Sequence, residues 1–227
     1  MYTLSLFISP PISEDEILTR AQKLAGLTLG QIAARFDQSI PRDLHHAKGW
    51  VGKLLELALG ATAGTQAVHD FPDLGVEMKT IPLRKDGRPK EATYVCTVPL
   101  TDFESYWEIS WVRRKLSRVL WLPVEAENCV PLPKRRLGMA LLWSPNLKQE
   151  AILRADWEEL MDMVCLGKLE SITAYQGVYL QIRPKAANSR SLCEGIGESG
   201  ERILTSPRGF YLRPTFTATI LAHCYML

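Results

Sequence analysis

The chain has 227 residues, 46% of them hydrophobic, and a formal net charge of only +2. That is enough apolar material for one substantial core, and it excludes a uniformly basic chain, so any nucleic-acid surface must come from local clustering of Lys and Arg. The five cysteines, Cys96, Cys129, Cys165, Cys193 and Cys224, are scattered without a C-x-x-C pair, which argues against a disulfide framework or a zinc ribbon and for free thiols in a reducing compartment.

The opening MYTLSLFISPPISEDE has a short apolar run but no basic region before it and no cleavage-like site. No apolar stretch approaches the roughly 20 residues of a membrane span, so a soluble, cytoplasmic protein without membrane contact is expected. Neither a repeat nor a Gly/Ser/Pro-rich linker divides the halves, and residues 1–227 are expected to form a single domain.

Ser13 with Glu16 predicts a capping box opening a helix with Ile17, Ala21, Leu24 and Ala25 inward. Thr28 with Gln31 repeats the signal before a second helix carrying Ile32 and Phe36. A third helix follows Lys48-Gly49-Trp50 and runs to Gly60. Val76–Ile81 then alternates as a strand exposed on one face should. Asp86-Gly87 predicts a turn, and Thr93–Val98 a returning strand that completes a hairpin. A basic helix spans Trp107–Leu116, and the unbroken apolarity of Val119–Val124 predicts a buried central strand. The longest helix is Leu147–Leu166, ended by Gly167, with Leu153, Trp157, Leu160, Met161 and Val164 as its apolar stripe and Asp156, Glu158, Glu159 and Asp162 on its surface. Val178–Arg183 and Gly209–Arg213 are later strands, and Pro214 opens a terminal helix. The irregular alternation predicts a mixed-sheet α/β or α+β fold.

The chemistry concentrates at Asp70 and Glu77-Met78-Lys79. Strand alternation puts Glu77 and Lys79 on one face and Met78 in the core, and Asp70 can fold back beside Glu77. Two converging carboxylates make a hard oxygen site suited to Mg²⁺, where Lys79 could polarise water or hold a phosphate. By itself the D…E-x-K spacing fits a solvated strand face as well. Glu56 lies in an apolar helix with Gly49, Gly52 and Gly60 near it on the helical wheel. It is either a third acid, serving a second metal or the water, or a surface Glu beside packing glycines.

Several long segments, in order, resemble the MutH family: KGWVGKLLELALGATAG, DFPDLGVEMKTIP, the dipeptide WE with VRRKL and VLWLPVE, DWEELMDM, LQIRPKAAN and PRGFYL. The similarity is collinear over nearly the whole chain and weakest in the first dozen residues. It implies a restriction-endonuclease-like α/β fold, a mixed β-sheet flanked by helices, with two lobes forming a DNA-binding cleft. It implies Asp70, Glu77 and Lys79 as the catalytic set, Glu56 as the assisting acid and Lys115 as a further active-site lysine, with Asp70, Glu77 and Glu56 holding Mg²⁺. The implied activity is incision of the unmethylated strand of hemimethylated GATC in double-stranded DNA, by a monomer stimulated by MutL after MutS finds a mismatch.

Basic residues cluster accordingly. Arg113, Arg114, Lys115 and Arg118 form one group, Arg183, Lys185 and Arg190 another, and Arg208 and Arg213 flank a third segment; solvated charges are the alternative for each, and for Lys134-Arg135-Arg136. Arg183, held by Pro184 at a strand end, suits a bidentate contact with guanine, with Lys185 on phosphate or base. Lys48-Gly49 resembles the family's other DNA-contacting loop. Tyr211 matches the family tyrosine that senses adenine methylation, while Phe210 on the opposite strand face suits the core. Tyr94 departs from the family, where Phe is expected. The histidines, His45, His46, His69 and His223, lack metal-ligand spacing. The acidic surface of the long helix, Glu158 and Glu159 included, is a candidate protein-contact face beside the alternative of a solvated one. A double-strand restriction enzyme and a non-catalytic DNA-binding protein are the rival functions.

Overall fold

A computed structural model of the chain describes residues 9–42, 49–64, 66–104, 106–185 and 191–225. In chain order its helices are α1 Glu14–Leu24, α2 Leu29–Arg35, α3 Trp50–Leu59, α4 Trp111–Ser117, α5 Leu147–Cys165 and α6 Pro214–Tyr225. Its strands are β1 Glu77–Leu83, β2 Thr93–Thr97, β3 Val119–Glu125, β4 Leu141–Trp143, β5 Leu180–Pro184, β6 Cys193–Ile196, β7 Arg202–Thr205 and β8 Arg208–Leu212. The chain forms two compact units, one from residues 1–90 and 118–143 and the other from 91–117 and 144–227.

The first unit is a small mixed sheet, in the order β1-β3-β4, with α1 to α3 sharing its core. β3 is apolar at nearly every position and buried along its length except at Glu125, and so takes the centre, parallel to β1 from Glu77↔Val119 to Leu83↔Glu125 and antiparallel to β4. Met78, Leu120, Leu122 and Val124 meet Ile17, Ile32, Leu55 and Leu59 in one apolar cluster. Thr28 and Gln31 make the full reciprocal capping box. At α1 only half of the predicted box forms: Ser13 accepts the Glu16 N–H, but the Glu16 carboxylate accepts from Ile12 instead, leaving its other oxygen for Arg20.

The predicted hairpin is corrected. The Asp86-Gly87 turn exists, with Gly87 at φ +78° and one bridge between Leu83 and Pro89. At residue 91 the chain passes into the second unit, and β2 pairs with β8, not with β1. β1 takes as its partner the almost wholly apolar β3, reached by the crossover that parallel pairing requires.

The second unit holds an antiparallel sheet in the order β2-β8-β5 and a separate β6-β7 ribbon. The structure thus divides its strands among three sheets; the mixed one is confined to the first unit. Phe210 and Leu212 of β8 are buried with Leu180 and Ile182 of β5 and the Leu153–Val164 stripe of α5. Trp107 lies 5.9 Å from Trp157, and Tyr179 stacks on Phe216 at 3.8 Å. The predicted helix 107–116 is broken at Ser110. Trp107–Ile109 form a single 3-10 turn, and α4 starts afresh at Trp111, whose N–H is held by the Glu104 carboxylate.

Asp156 also corrects the sequence expectation. It is 4% exposed, not on the surface of α5, and its carboxylate accepts the N–H groups of Val178, Tyr179 and Leu180 at 2.8, 2.6 and 2.8 Å. Gly177, at φ +74°, turns the chain so that these donors face it. Glu158, Glu159 and Asp162 are exposed as expected. No described helix is long and apolar enough to cross a membrane.

Candidate functional site

Asp70 reaches Glu77 through a tight loop. Pro72–Leu74 make a 3-10 turn, Gly75 follows at φ +63°, and Phe71 and Val76 exchange both backbone hydrogen bonds. Continuing that antiparallel register brings Asp70 opposite Glu77. One Asp70 carboxylate oxygen accepts the Met78 N–H at 2.7 Å, and its backbone oxygen accepts from Thr62. Glu77 and Lys79 share a face, as alternation predicts, and Lys79 Nζ donates to Glu77 Oε1 at 2.6 Å. This face is less open than predicted: Glu77 is only 3% exposed.

Glu56 projects from α3 into the same electrostatic neighbourhood. Burial raises its carboxyl pKa, the negative charges of Asp70 and Glu77 raise it further, and Lys53 and Lys79 partly oppose them. The expected glycine stripe around it is corrected. Gly49 and Gly60 are the two ends of α3, both left-handed at φ +85° and +83°, where the chain must turn. Only Gly52 lies within the helix beside Glu56.

Among the described residues no three His, Cys, Asp or Glu side chains are gathered tightly enough to hold a metal ion. The donor chemistry of the acid group nevertheless fits a hard divalent cation. Three carboxylates whose charges act on one another are relieved by positive charge, and Lys79 already supplies one such charge to Glu77.

The second unit gathers four predicted DNA-reading residues. Tyr94 and Tyr211 are register partners across β2 and β8, with rings edge-to-face at 5.4 Å. The Arg183 guanidinium lies 5.8 Å from the Tyr211 ring centre, and Lys185 Nζ lies 3.5 Å from that of Tyr94. The Tyr94 hydroxyl, the departure from the family, hydrogen-bonds Thr97 Oγ1 at 3.0 Å. Burial and the neighbouring Tyr94 raise the pKa of Tyr211 against the opposing pull of Arg183, so its phenol keeps its proton at neutral pH. Arg183, Pro184 and Lys185 are exposed. Phe210 is buried on the opposite face, as predicted.

Sequence reasoning missed Gly209. A Cβ there would come within 3.0 Å of both tyrosine rings, so the glycine makes room for the pair. Period-2 alternation, which puts residue 209 on the face of Tyr211, was the available signal.

Other basic residues turn toward protein. Arg113 pairs with Glu150, Arg118 with Glu14 and Arg208 with Glu170, and Arg213 donates to the carbonyls of Ala174, Gln176 and Gly177. Arg135 and Arg136 donate to backbone oxygens at Val130 and Gly26. Lys115 lies on α4 in the second unit, its Nζ 5.2 Å from the Trp111 ring centre. Lys48, Arg190, His45 and His46 fall outside the described residues.

The MutH family model, described as DNA mismatch repair enzyme MutH, matches residues 59–156. The chain is 55% identical to a DNA mismatch repair protein MutH of Yersinia pestis (strain Pestoides F) over 228 aligned positions, covering 100% of both chains. The same identity and coverage hold for the protein of that name from Yersinia pseudotuberculosis serotype O:1b (strain IP 31758). For that of Yersinia enterocolitica serotype O:8 / biotype 1B the identity is 54%, again over 100% of both chains.

Proposed function

Because this chain belongs to the MutH family of DNA mismatch repair enzymes, we propose that it is the endonuclease that nicks the unmethylated strand of hemimethylated GATC sites. The observation that carries the chemistry is the loop that returns Asp70 to the Met78 N–H, between Glu77 and Lys79, with the charges of all three acting on Glu56. Asp70 and Glu77, with Glu56, would hold Mg²⁺. The bound cation would supply charge stabilisation for the scissile phosphate and lower the pKa of a water. Lys79 orients Glu77 and presents positive charge to the phosphate, while Glu56, whose burial and acidic neighbours raise its proton affinity, is suited to accept a proton from that water. Lys115, whose role is implied by the resemblance of the VRRKL segment, would be a further lysine of the reaction.

Recognition falls to the second unit. Arg183 carries a planar pair of donors fit for a guanine edge, steadied by Pro184 and the Tyr211 ring, and Lys185 supplies charge beside Tyr94. The neutral Tyr211 hydroxyl can accept a hydrogen bond from an adenine amine, and an added methyl would crowd it. Lys48-Gly49 would add a DNA contact from the first unit. The enzyme acts as a cytoplasmic monomer under MutL control, downstream of MutS, and the exposed Glu158 and Glu159 of α5 are a candidate contact face for MutL.

The test is a strand-resolved nicking assay on a hemimethylated GATC duplex with Mg²⁺, with and without MutL. Nicks confined to the unmethylated strand and increased by MutL are expected. DNA left intact with MutL present would sink the proposal, and linear product from unmethylated plasmid without MutL would replace it with a double-strand restriction activity.

A further inference from the structure

The second unit also contains a cavity of about 420 Å³ between β5 and the segment that follows the 3-10 turn at Leu169–Ser171. That is ample for a sugar–phosphate unit, ligand pockets running to roughly 300–1,000 Å³. Three arginines line it, Arg183, Arg208 and Arg213, together with Gln181 and Thr173. Arg213 spends its donors on carbonyls, which fix it without cancelling its charge.

Two of the lining groups are polar and more than nine-tenths buried, and one of them, Arg208, is incompletely satisfied. Arg208 is 9% exposed; Glu170 engages only its Nη2, at 2.6 Å, and its Nε has no hydrogen-bond partner. Gln181 is 8% exposed and adds an uncharged amide to the lining. A guanidinium has donors and no acceptor, and buried donors are ordinarily satisfied. Three arginine charges against one acidic contact make the cavity suited to an anionic acceptor. Among the described residues the acid that contacts Arg208 is Glu170, and that carboxylate is largely in solvent.

We infer that this cavity is a phosphate-binding pocket and that its occupant is a backbone phosphodiester of the bound DNA, next to the base pairs read by the tyrosine cluster. Arg183 carries the continuity, since it both lines the cavity and lies against the Tyr211 ring. The inference rests on the reading of that cluster as the DNA-reading surface. Arg208 and Gln181 act here as positioning contacts that set register, while base discrimination stays with Arg183 and Tyr211.

The experiment measures binding of the full chain to labelled duplexes with and without GATC across a salt series, for Gln181→Glu, Arg208→Gln and Arg183→Ala. Gln181→Glu and Arg208→Gln are expected to weaken both duplexes alike, several-fold, and to flatten the plot of log affinity against log salt by about one. Arg183→Ala is expected to lose discrimination between the duplexes. Gln181→Glu is close in shape to the parent and decides the matter if Arg208→Gln does not fold. An unchanged slope and affinity in Gln181→Glu, with Arg183→Ala still losing discrimination, overturns the pocket and leaves the reading surface standing. Full discrimination in Arg183→Ala overturns that surface, and the inference with it. Inorganic phosphate is the third arm: phosphate that raises the melting temperature of the parent but not of Gln181→Glu, while the DNA slopes stay equal, assigns the pocket to free phosphate and overturns the backbone assignment.

Discussion

Replacing Asp156 with Ala removes an acceptor that three backbone donors share. The Leu180 N–H is buried in this arrangement, whereas those of Val178 and Tyr179 are only partly covered. A hydrogen bond to a charged group contributes about 1.5–3 kcal/mol net. Counting the Leu180 bond in full and the two outer donors, which can recover water, at about half each, the first-order loss is about 3–6 kcal/mol, a large share of the roughly 5–15 kcal/mol that holds a typical domain together. Asp156→Asn keeps the shape and one acceptor oxygen but sets an amide donor against the remaining N–H groups, and should cost about 2–3 kcal/mol. Urea unfolding followed by tryptophan fluorescence measures both. The denaturant slope should be unchanged, because the surface exposed on unfolding is the same. Since the residues tied by Asp156 lead directly into β5 and Arg183, DNA affinity should fall at urea concentrations too low to unfold the parent. An Asp156→Ala variant within about 1 kcal/mol of the parent would refute the reasoning.

The raised pKa of Glu56 means that its ionised form is disfavoured in the fold, so its contribution is favourable below the unfolded carboxyl pKa and is lost as pH rises through the folded value. In EDTA, Glu56→Gln should therefore melt higher than the parent at neutral pH, with the gap closing as the solution is acidified; an equal or lower melting temperature at pH 7.5 would contradict this. The same variant should nick at least tenfold more slowly in Mg²⁺, as expected for loss of a proton-transfer group. Lys79→Met leaves the nearly buried Glu77 without its 2.6 Å partner and should abolish nicking while sparing duplex binding, measured by gel shift; undiminished cutting removes Lys79 from the reaction. Gly209→Ala should push the Tyr94 and Tyr211 rings apart and reduce methylation discrimination more than total affinity, as compared on methylated and unmethylated duplexes.

The sequence showed the site's local geometry where short-range rules decide it. Glu77 and Lys79 share a face because strands alternate, and Asp70 returns because Pro72 and Gly75 impose a tight turn within seven residues. It failed where pairing is nonlocal. A hairpin is the cheap solution for β1 and the strand after it, and its turn does form, but β3, buried at every position except Glu125, is a more apolar partner for β1 than the half-polar β2. That competition is set by the whole core and cannot be read from the two strands alone.

Asp156 shows the opposite kind of error, because there the local pattern held the answer. Leu153, Asp156, Trp157, Leu160, Met161 and Val164 follow the three–four spacing of one helical face without interruption. The charge alone suggested solvent, since carboxylates are rarely buried unless paired. Period and charge conflict only at that residue on the stripe, and the conflict is resolved by three N–H groups from a segment more than twenty positions away. Glu77 obeys the same logic on β1, nearly buried with Lys79 as a partner. A charged residue in phase with a buried face therefore carries information about its partners: at Asp156 they are backbone donors and the role is architectural, whereas at Glu77 the partner is a titratable lysine beside two more acids, the arrangement from which chemistry can be built.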